Sequence, residues 1–547
     1  MERRVILAFV LALLVAIVPS ILFPPKKMAP RRPPPPGARD TVHGAAPAAA
    51  APQAPQAIRP PGPGAPAAPA ETVWVTSPLY RFGFSTAGGA LVSAELLQYR
   101  SFAPSDSGRK VDLIPRDRPA LAPRLVAGAD TISLGDWRFQ SSAHELAVGG
   151  DSARLTLSAE RQGARVTLEY TFVPDDYRVQ VAGRVSGLGP AGAMLVVGLG
   201  DGLRSVEADS ADDFRHFAVV TKAAKTQSTA FSSVKPGEVR VLDGPFEWVG
   251  VKSKYFLLAA LALDSNETRF AGTIAVGQER EGHAGARCAS AVTLPVSQAG
   301  LFHFQVYAGP LEYRRLAHMG HDLDDANPYG GILRTVIQPV SSLVVNILLW
   351  MHERLKLAYG WVLVIFGVLV RVLLWPLNQR AMESSLRMQA VAPLMKSTQD
   401  KYKDDPERLQ REMLKIYREH QVNPFGGCLP MLLPMPVLFA LFFVFANTIE
   451  FRGVPFLWLP DLSRADPYFV LPVVMGLSMF VLSKVGQIGV PPNPQAKTML
   501  YFMPVFMTVL FLRFAAGLNL YYAVSNLFSI PQQYRIAQRR LRQGRKT

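Results

Sequence analysis

Two cysteines, Cys288 and Cys428, are all that a chain of 547 residues carries, and they fall in regions of different texture. Two isolated cysteines make neither a disulfide framework nor a metal site. The sequence also lacks a P-loop Gly-Lys-Ser/Thr, an H-E-x-x-H and a G-x-S-x-G. A nucleotide-driven pump, a zinc protease and an α/β-hydrolase therefore find no support. The His and Asp residues before residue 308 form no catalytic constellation, so no cofactor, metal or enzymatic reaction is expected. Acidic residues are missing from the five apolar runs that follow residue 335. What is abundant is positive charge, at a formal +16. In a soluble protein that excess suggests nucleic acid. Here the basic residues flank apolar runs, and anionic lipid and topology signalling account for them better than any nucleic-acid sequence does.

The chain begins Met1-Glu2-Arg3-Arg4 and then runs uncharged from Val5 to Phe23. Nineteen such residues are enough to cross a hydrocarbon core about 30 Å thick. A basic head before an apolar run also fits a cleaved signal peptide, but the run is long and no clear A-x-A site follows. An uncleaved anchor is the expectation, with its arginines in the cytoplasm. Pro24 to Pro69 is dominated by Pro, Ala and Gly. Such a composition cannot bury a core and predicts an extended tether.

From Val73 to Ala308 short runs of Val, Leu, Phe, Tyr and Thr alternate with Gly, Asp and Ser. Examples are Leu79–Phe84, Arg165–Phe172 and Leu301–Tyr307. Period-two alternation with frequent turn residues predicts an antiparallel β-sandwich on the outer side of the membrane. Leu343–Leu357 is apolar at first and charged at its end, which suits an amphipathic helix lying in the outer interface. Gly360–Trp375, Leu429–Asn447, Tyr468–Ser483, Met499–Leu512 and Phe514–Ile530 read as spans. With the first anchor they total six.

Loop charges set the topology. Arg380–Arg418 carries nine Lys or Arg and Arg535–Lys546 carries six, whereas Glu450–Asp466 has only Arg452 and Arg464. The positive-inside rule then puts both termini and the Arg380–Arg418 segment in the cytoplasm. That segment reads as a helical hairpin. Asp405-Pro406-Glu407 is a helix start with an N-cap, Pro at the first position and an acid at the positive dipole end. An earlier arm from about Met382 to Tyr402 is expected to kink at Pro393. Its charged surface fits either a solvated face or a contact with a partner such as the ribosome.

Arg371 is the most informative residue. An intramembrane Arg costs from about 2.5 to over 10 kcal/mol, depending on the reference. The cost falls if the side chain faces a water-filled cavity. It also falls if the side chain snorkels, since Arg371 lies six residues from Leu377, about 9 Å along a helix. The last span offers Asn519, Tyr522, Ser525 and Asn526, followed by Gln532-Gln533. Asn519, Tyr522 and Asn526 fall at near-helical spacing and suit one wall of a hydrated face. Interhelical hydrogen bonding is the plainer alternative. With no acid in these runs, Arg371 has no obvious partner and is available to an acidic segment of a passing chain.

Several motifs in a fixed order resemble the YidC family of bacterial insertases. They are Leu369-Val370-Arg371 with Trp375-Pro376-Leu377, Val422-Asn423-Pro424-Phe425-Gly426-Gly427-Cys428-Leu429-Pro430 with Met435-Pro436, Asp466–Pro472 with Met475-Gly476, Phe502–Val505, and Gly517–Asn526. The region before residue 335 matches only at Phe84–Gly89 and Asn327-Pro328-Tyr329-Gly330. The resemblance implies an inner-membrane protein with a periplasmic all-β supersandwich of sugar-binding type, a likeness that does not by itself imply sugar binding. It implies a membrane α-helical bundle of six transmembrane helices, five of them forming an insertase core. The corresponding domains are the anchor 1–23, a linker 24–72, the sandwich 73–320, the interfacial helix 335–358, the core 359–534 with hairpin 380–420, and a basic tail 535–547. The implied activity is insertion and folding of nascent membrane proteins, alone or with the Sec translocon, through a hydrophilic groove closed on the periplasmic side. Arg371 corresponds to the groove arginine, with Gly367, Asn519, Tyr522, Ser525 and Asn526 around it. Gly367 departs from the polar residue expected there. Met435, Pro436, Met475 and Met503 are candidates for an adaptable slide for the substrate, with ordinary packing as the alternative. A small-solute transporter would want internal repeats and broken midplane helices, which are not evident. An envelope assembly factor acting through the sandwich is the other alternative.

Overall fold

The computed structural model describes residues 70–128, 130–187, 193–264, 268–279, 285–327, 329, 334–403, 405–420, 435–489 and 494–544. The expected anchor 1–23, the linker up to residue 69, the motif Val422–Pro430 and the end of the basic tail lie outside the described residues.

Alternating burial along each strand builds the β-domain. Ala164–Phe172 hides Val166, Leu168, Tyr170 and Phe172 and shows solvent the residues between them. This is the signature of a sheet with one face in a core. Nine strands make the largest sheet, in the order Thr226–Ala230, Ala218–Lys222, Trp248–Lys252, Phe256–Leu261, Leu301–Pro310, Arg178–Ser186, Ala164–Phe172, Ala153–Arg161 and Gln140–Ser141. A six-stranded sheet runs from Val239–Phe246 to Asp130–Ser133, and a five-stranded sheet holds the first strands of the domain. Pairing is antiparallel except between Thr72–Thr76 and Glu145–Ala147. Leu195 and Val197 of the six-stranded sheet face Leu168, Val181 and Phe304 of the nine-stranded one across the core. The expected sandwich is therefore present. Cys288 is buried within it, and burial pushes its thiol up to about 11.

Two short helices decorate this domain, α1 (Ser210–Arg215) and α2 (Tyr313–Met319). Seven more follow: α3 (Arg334–Leu355), α4 (Tyr359–Lys401), α5 (Pro406–Glu419), α6 (Met435–Asn447), α7 (Val470–Gly486), α8 (Pro494–Phe511) and α9 (Ala516–Gly544). Asp405 caps α5 as expected, its side chain accepting the Arg408 N–H at 3.0 Å. The apolar run 360–375 and the first hairpin arm are one helix of 43 residues, continuous through Pro376 and Pro393. A proline deletes one backbone donor, a cost that kinks a helix more readily than it ends one.

The helices α4, α6, α7, α8 and α9 share a second core, with Phe366, Leu441, Phe445, Met475 and Leu518 inside. Their outward residues are also apolar. Leu373, Leu477, Phe502, Val505, Val509 and Leu527 are all well exposed. A bundle that is hydrophobic inside and outside is built for lipid. Ends of four of these helices meet at segment 448–469. Tyr359 at the start of α4 stacks edge-on against Phe451 at 5.0 Å, and Ala516 and Gly517 at the start of α9 donate to Arg464 O and Leu462 O. Asp466, fully buried, accepts the N–H groups of Tyr468 at 3.0 Å and Leu471 at 2.7 Å and so caps α7. The Asp466-Pro467 motif thus has a structural role, a helix start held against the turn before it.

Helix α3 touches the β-domain side along its whole length. Arg334 at its start pairs with Asp325, and Glu353 near its end pairs with Arg314 of α2. These contacts are nineteen residues apart, about 29 Å of helix. Contacts this far apart run α3 alongside the β-domain.

Candidate functional site

Helices α4 and α9 pack in parallel with a constant register. Arg371 meets Ser525, Asn378 meets Gln532, and Gly367 sits on Tyr521, each pair 154 residues apart. Helices α4, α7 and α9 lead away from the segment 448–469 and α6 and α8 lead toward it, so these five alternate in direction. Gly367 faces α9 at this contact: a methyl group there would stand 3.4 Å from the Tyr521 ring and 3.5 Å from Val524. That is ordinary contact distance. The absence of a polar side chain at this position therefore leaves an apolar lining rather than a gap.

A polar seam runs along this contact. The Arg371 Nε donates to Ser525 O at 3.1 Å, and the side chain is half-buried. Among the described residues it has no carboxylate partner. Tyr521 and Tyr522 lie near enough to interact with it electrostatically. The same Ser525 carbonyl accepts the Ser529 hydroxyl at 2.6 Å. Two turns beyond Arg371 and Ser525, Asn378 Nδ2 donates to Gln532 Oε1 at 3.2 Å, with both residues buried. Among the described residues the Gln532 Nε2 has no partner although it is shielded from solvent. Asn526 Nδ2 donates to Ser478 Oγ at 3.2 Å and ties α9 to α7. Buried amides with open valences are costly unless water or a ligand meets them. Asn378, Ser478 and Ser529 escaped notice in the sequence. The signal for them is weak: small polar residues in or beside apolar runs, resolved only by knowing which helix they face.

Asn519 is placed differently. It is fully buried at the turn between α8 and α9, and its Nδ2 donates to Phe511 O at 3.1 Å and Phe514 O at 3.5 Å. Its donors hold that turn and are not available to the seam. Tyr522 is half-buried with its ring 5.8 Å from Phe511. Among the slide candidates, Met435 and Met503 are half-buried and Pro436 is exposed, while Met475 is fully buried in the bundle core. Packing accounts for Met475 in this arrangement. Gly476 beside it lets α7 approach α8, since a methyl group there would fall 1.9 Å from Thr508 Oγ1.

The end of the bundle at segment 448–469 is bolted to the β-domain. Arg452 Nε donates to Glu207 Oε1 at 2.7 Å, with both side chains nearly inaccessible, and its guanidinium lies 4.3 Å from the Phe102 ring centroid. Ile449 belongs to the β-domain core. Asn327 accepts from Lys252 Nζ at 2.7 Å and donates to Lys254 O and to Asn447 O at the end of α6. Tyr329 OH and Thr448 Oγ1 share a hydrogen bond of 3.1 Å. Asn327 and Tyr329 therefore pin the two cores together. Burial pushes the Lys252 ammonium down to about 8 and the Glu450 carboxyl up to about 7, the latter helped by Glu312. Glu450 Oε1 accepts the Tyr313 N–H at 3.1 Å, and Oε2 has no partner. A carboxyl in that setting is favoured as the neutral acid.

Among the described residues no group of three or more His, Cys, Asp or Glu is placed to hold a metal. Residues 72–343 match the family described as the YidC periplasmic domain, and residues 350–543 match the family described as 60Kd inner membrane protein. The membrane protein insertase YidC of Syntrophus aciditrophicus (strain SB) is 30% identical over 482 residues, 85% of each chain. That of Anaeromyxobacter sp. (strain K) is 34% identical over 546 residues, 97% of this chain and 96% of the relative. A crystal structure of an active YidC insertase aligns with 85% of this chain and 94% of its own at 17% identity, with a TM-score of 0.34. With identity sustained over nearly the whole length and both family regions in order, the chain belongs to the YidC family of inner-membrane protein insertases that carry a periplasmic domain.

Proposed function

We propose that this insertase receives the polar flank of a nascent membrane protein in the seam between α4 and α9 and releases its apolar segment into lipid past α6 and α8. The observation that carries this reading is Arg371, a cation within an apolar helix that, among the described residues, donates to a backbone carbonyl and has no acid beside it. Such a group is costly in a dry bundle and useful in a wet one. Asn378, Gln532 and Ser525 lie along the same contact, and the Gln532 Nε2 offers a hydrogen bond to a polar chain, with Asn526 facing α7 beside them. Tyr522 borders them.

The driving force needs no fuel from this chain. Each Leu, Ile, Phe or Val entering the bilayer centre gains roughly 0.3 to 0.6 kcal/mol, so a segment of about 20 residues supplies its own pull. The barrier is the polar flank, and a hydrated seam reaching partway through the membrane shortens the dry path. Met435 and Met503 give the release side an adaptable surface, with Met475 packed behind them. The bolted joint at Arg452, Asn327 and Thr448 favours closure on the periplasmic side. Both termini and the hairpin α4–α5 are on the cytoplasmic side in this reading. The basic hairpin and tail suit a ribosome delivering the chain, and the Sec translocon is a further partner. Site-specific crosslinking separates these partners: contacts from the hairpin to ribosomal components and from the bundle to translocon subunits are expected, and a hairpin that crosslinks to neither leaves insertion to this chain alone.

A further inference from the structure

Helix α3 carries two apolar faces. One is buried, with Val344, Val345 and Leu348 in the bundle core. The other is open: Val336, Leu343 and Trp350 recur every seven residues and are 49%, 60% and 55% exposed. Two helical turns separate each from the next, so they form one stripe. A helix with an outward apolar stripe, pressed against the periplasmic domain, has lipid as its natural neighbour.

Beside the first turns of this helix lies a groove of about 580 Å³, in the size range of small-ligand sites. The edge strand Thr226–Ala230, the turn Leu323–Ala326 and α3 enclose it. Its charged lining is balanced: Lys225 and Arg334 against Asp322 and Asp325. Arg334 and Gln338 are both engaged by Asp325. Asp322 accepts from the buried Lys222 and is still half-exposed. Lys225 is exposed and has no ion-pair partner among the described residues. A simple anion entering here would gain Lys225 and meet two carboxylates. A simple cation would gain Asp322 and meet two cations. A zwitterion that carries a phosphodiester and a primary ammonium two carbons apart satisfies both sides.

We propose that this groove holds the headgroup of an ethanolamine phospholipid of the outer leaflet. Its phosphodiester lies on Lys225, its ammonium lies on Asp322, and its acyl chains run along Val336, Pro339 and Leu343. Pro339, exposed on the helix, lines the groove and borders the stripe, which joins the polar and apolar parts into one site. The lipid would fasten α3 to the β-domain and fix the depth of the bundle in the bilayer.

The test uses the purified full chain in detergent, with lipid retention read by native mass spectrometry. Ethanolamine, choline and glycerol phospholipids of matched chains are compared, with glycerophosphoethanolamine and inorganic phosphate as soluble probes. The ethanolamine lipid should be retained above the other two, because choline lacks N–H donors for Asp322 and the glycerol lipid lacks a cation. Lys225→Glu, at an exposed and unpaired position, should lower that retention about tenfold, the loss of one charge-assisted contact. Leu343→Gln should weaken the lipid while leaving glycerophosphoethanolamine unchanged. Equal retention of the three lipids, or an unchanged Lys225→Glu, overturns the site. Phosphate binding as well as glycerophosphoethanolamine does overturns the lipid assignment and leaves an anion site.

Discussion

Replacing Arg371 by alanine separates a structural role from a substrate-binding one. The fold should lose little. The Arg371 hydrogen bond to Ser525 O is replaceable, because the Ser529 hydroxyl already donates to that carbonyl at 2.6 Å. One such bond is worth about 1 kcal/mol. Against a substrate the stakes are higher. A carboxylate about 4 Å from the guanidinium would be attracted by about 4 kcal/mol at an effective dielectric constant of 20. Hydration within the seam lowers this to the range of a charge-assisted hydrogen bond, about 1.5 to 3 kcal/mol. Removing it should slow insertion of a substrate with an acidic translocated flank by about 10- to 100-fold. The same substrate with Asp→Asn in that flank should be slowed much less. The assay is a cycle in proteoliposomes: wild type and Arg371→Ala against acidic and neutral flanks, with initial insertion rates compared. Arg371→Lys should retain most of the preference for the acidic flank. An acid-to-neutral rate ratio that is the same in wild type and Arg371→Ala would refute the reasoning.

Three further outcomes follow from the joint and the helix contacts. Glu450 has a folded-state pKa raised to about 7, so its contribution to stability is full below the ordinary value of 4.5 and is lost as pH rises through about 7. The difference amounts to about 3 kcal/mol; melting of the full chain in detergent should fall between pH 5 and 8, and Glu450→Gln should flatten that fall. A wild-type profile that is flat over this range contradicts the neutral-acid assignment. Arg452→Met strands the buried Glu207 carboxylate and should cost about 3 to 5 kcal/mol, seen as earlier proteolysis at the joint; Glu207→Leu in the same chain should recover most of it. Gly476→Ala should destabilise the α7–α8 contact by about 1 to 3 kcal/mol, and adding Thr508→Ala should relieve it, because the new methyl group collides with the Thr508 hydroxyl.

Much of this architecture is legible in the sequence because it rests on local patterns. The runs read as strands at Leu79–Phe84, Arg165–Phe172 and Leu301–Tyr307 are strands at Tyr80–Ser85, Ala164–Phe172 and Leu301–Pro310. Period-two burial fixes such elements, and only their ends drift. The apolar runs after residue 335 are helices where they are described, because their length and composition suit a lipid-facing helix. The single helix Tyr359–Lys401 runs on through Pro376 and Pro393, so the last apolar residue of the run at Trp375 does not mark a helix end. The seam was half legible. Arg371, Ser525, Asn526 and Gln532 stand out as polar residues in or beside apolar runs, but Asn378 and Ser478 gain meaning only from the register of α4, α7 and α9. Asn519 carries the same polar signal as Asn526 and serves a turn instead. The pair Arg452–Glu207 joins residues 245 apart, and nothing local in either stretch announces it.

The most direct test of the central claim places a photocrosslinker at position 522, beside the seam, in the full chain during insertion of a stalled nascent membrane protein. The matched control is position 373 on the outer face of α4, where Leu373 is 71% exposed. Crosslinks to the nascent chain from 522, appearing while its polar flank is still crossing and fading once insertion is complete, are the predicted result. Crosslinks from 373 with none from 522 at any stage would contradict it and put the substrate's path on the lipid face of the bundle.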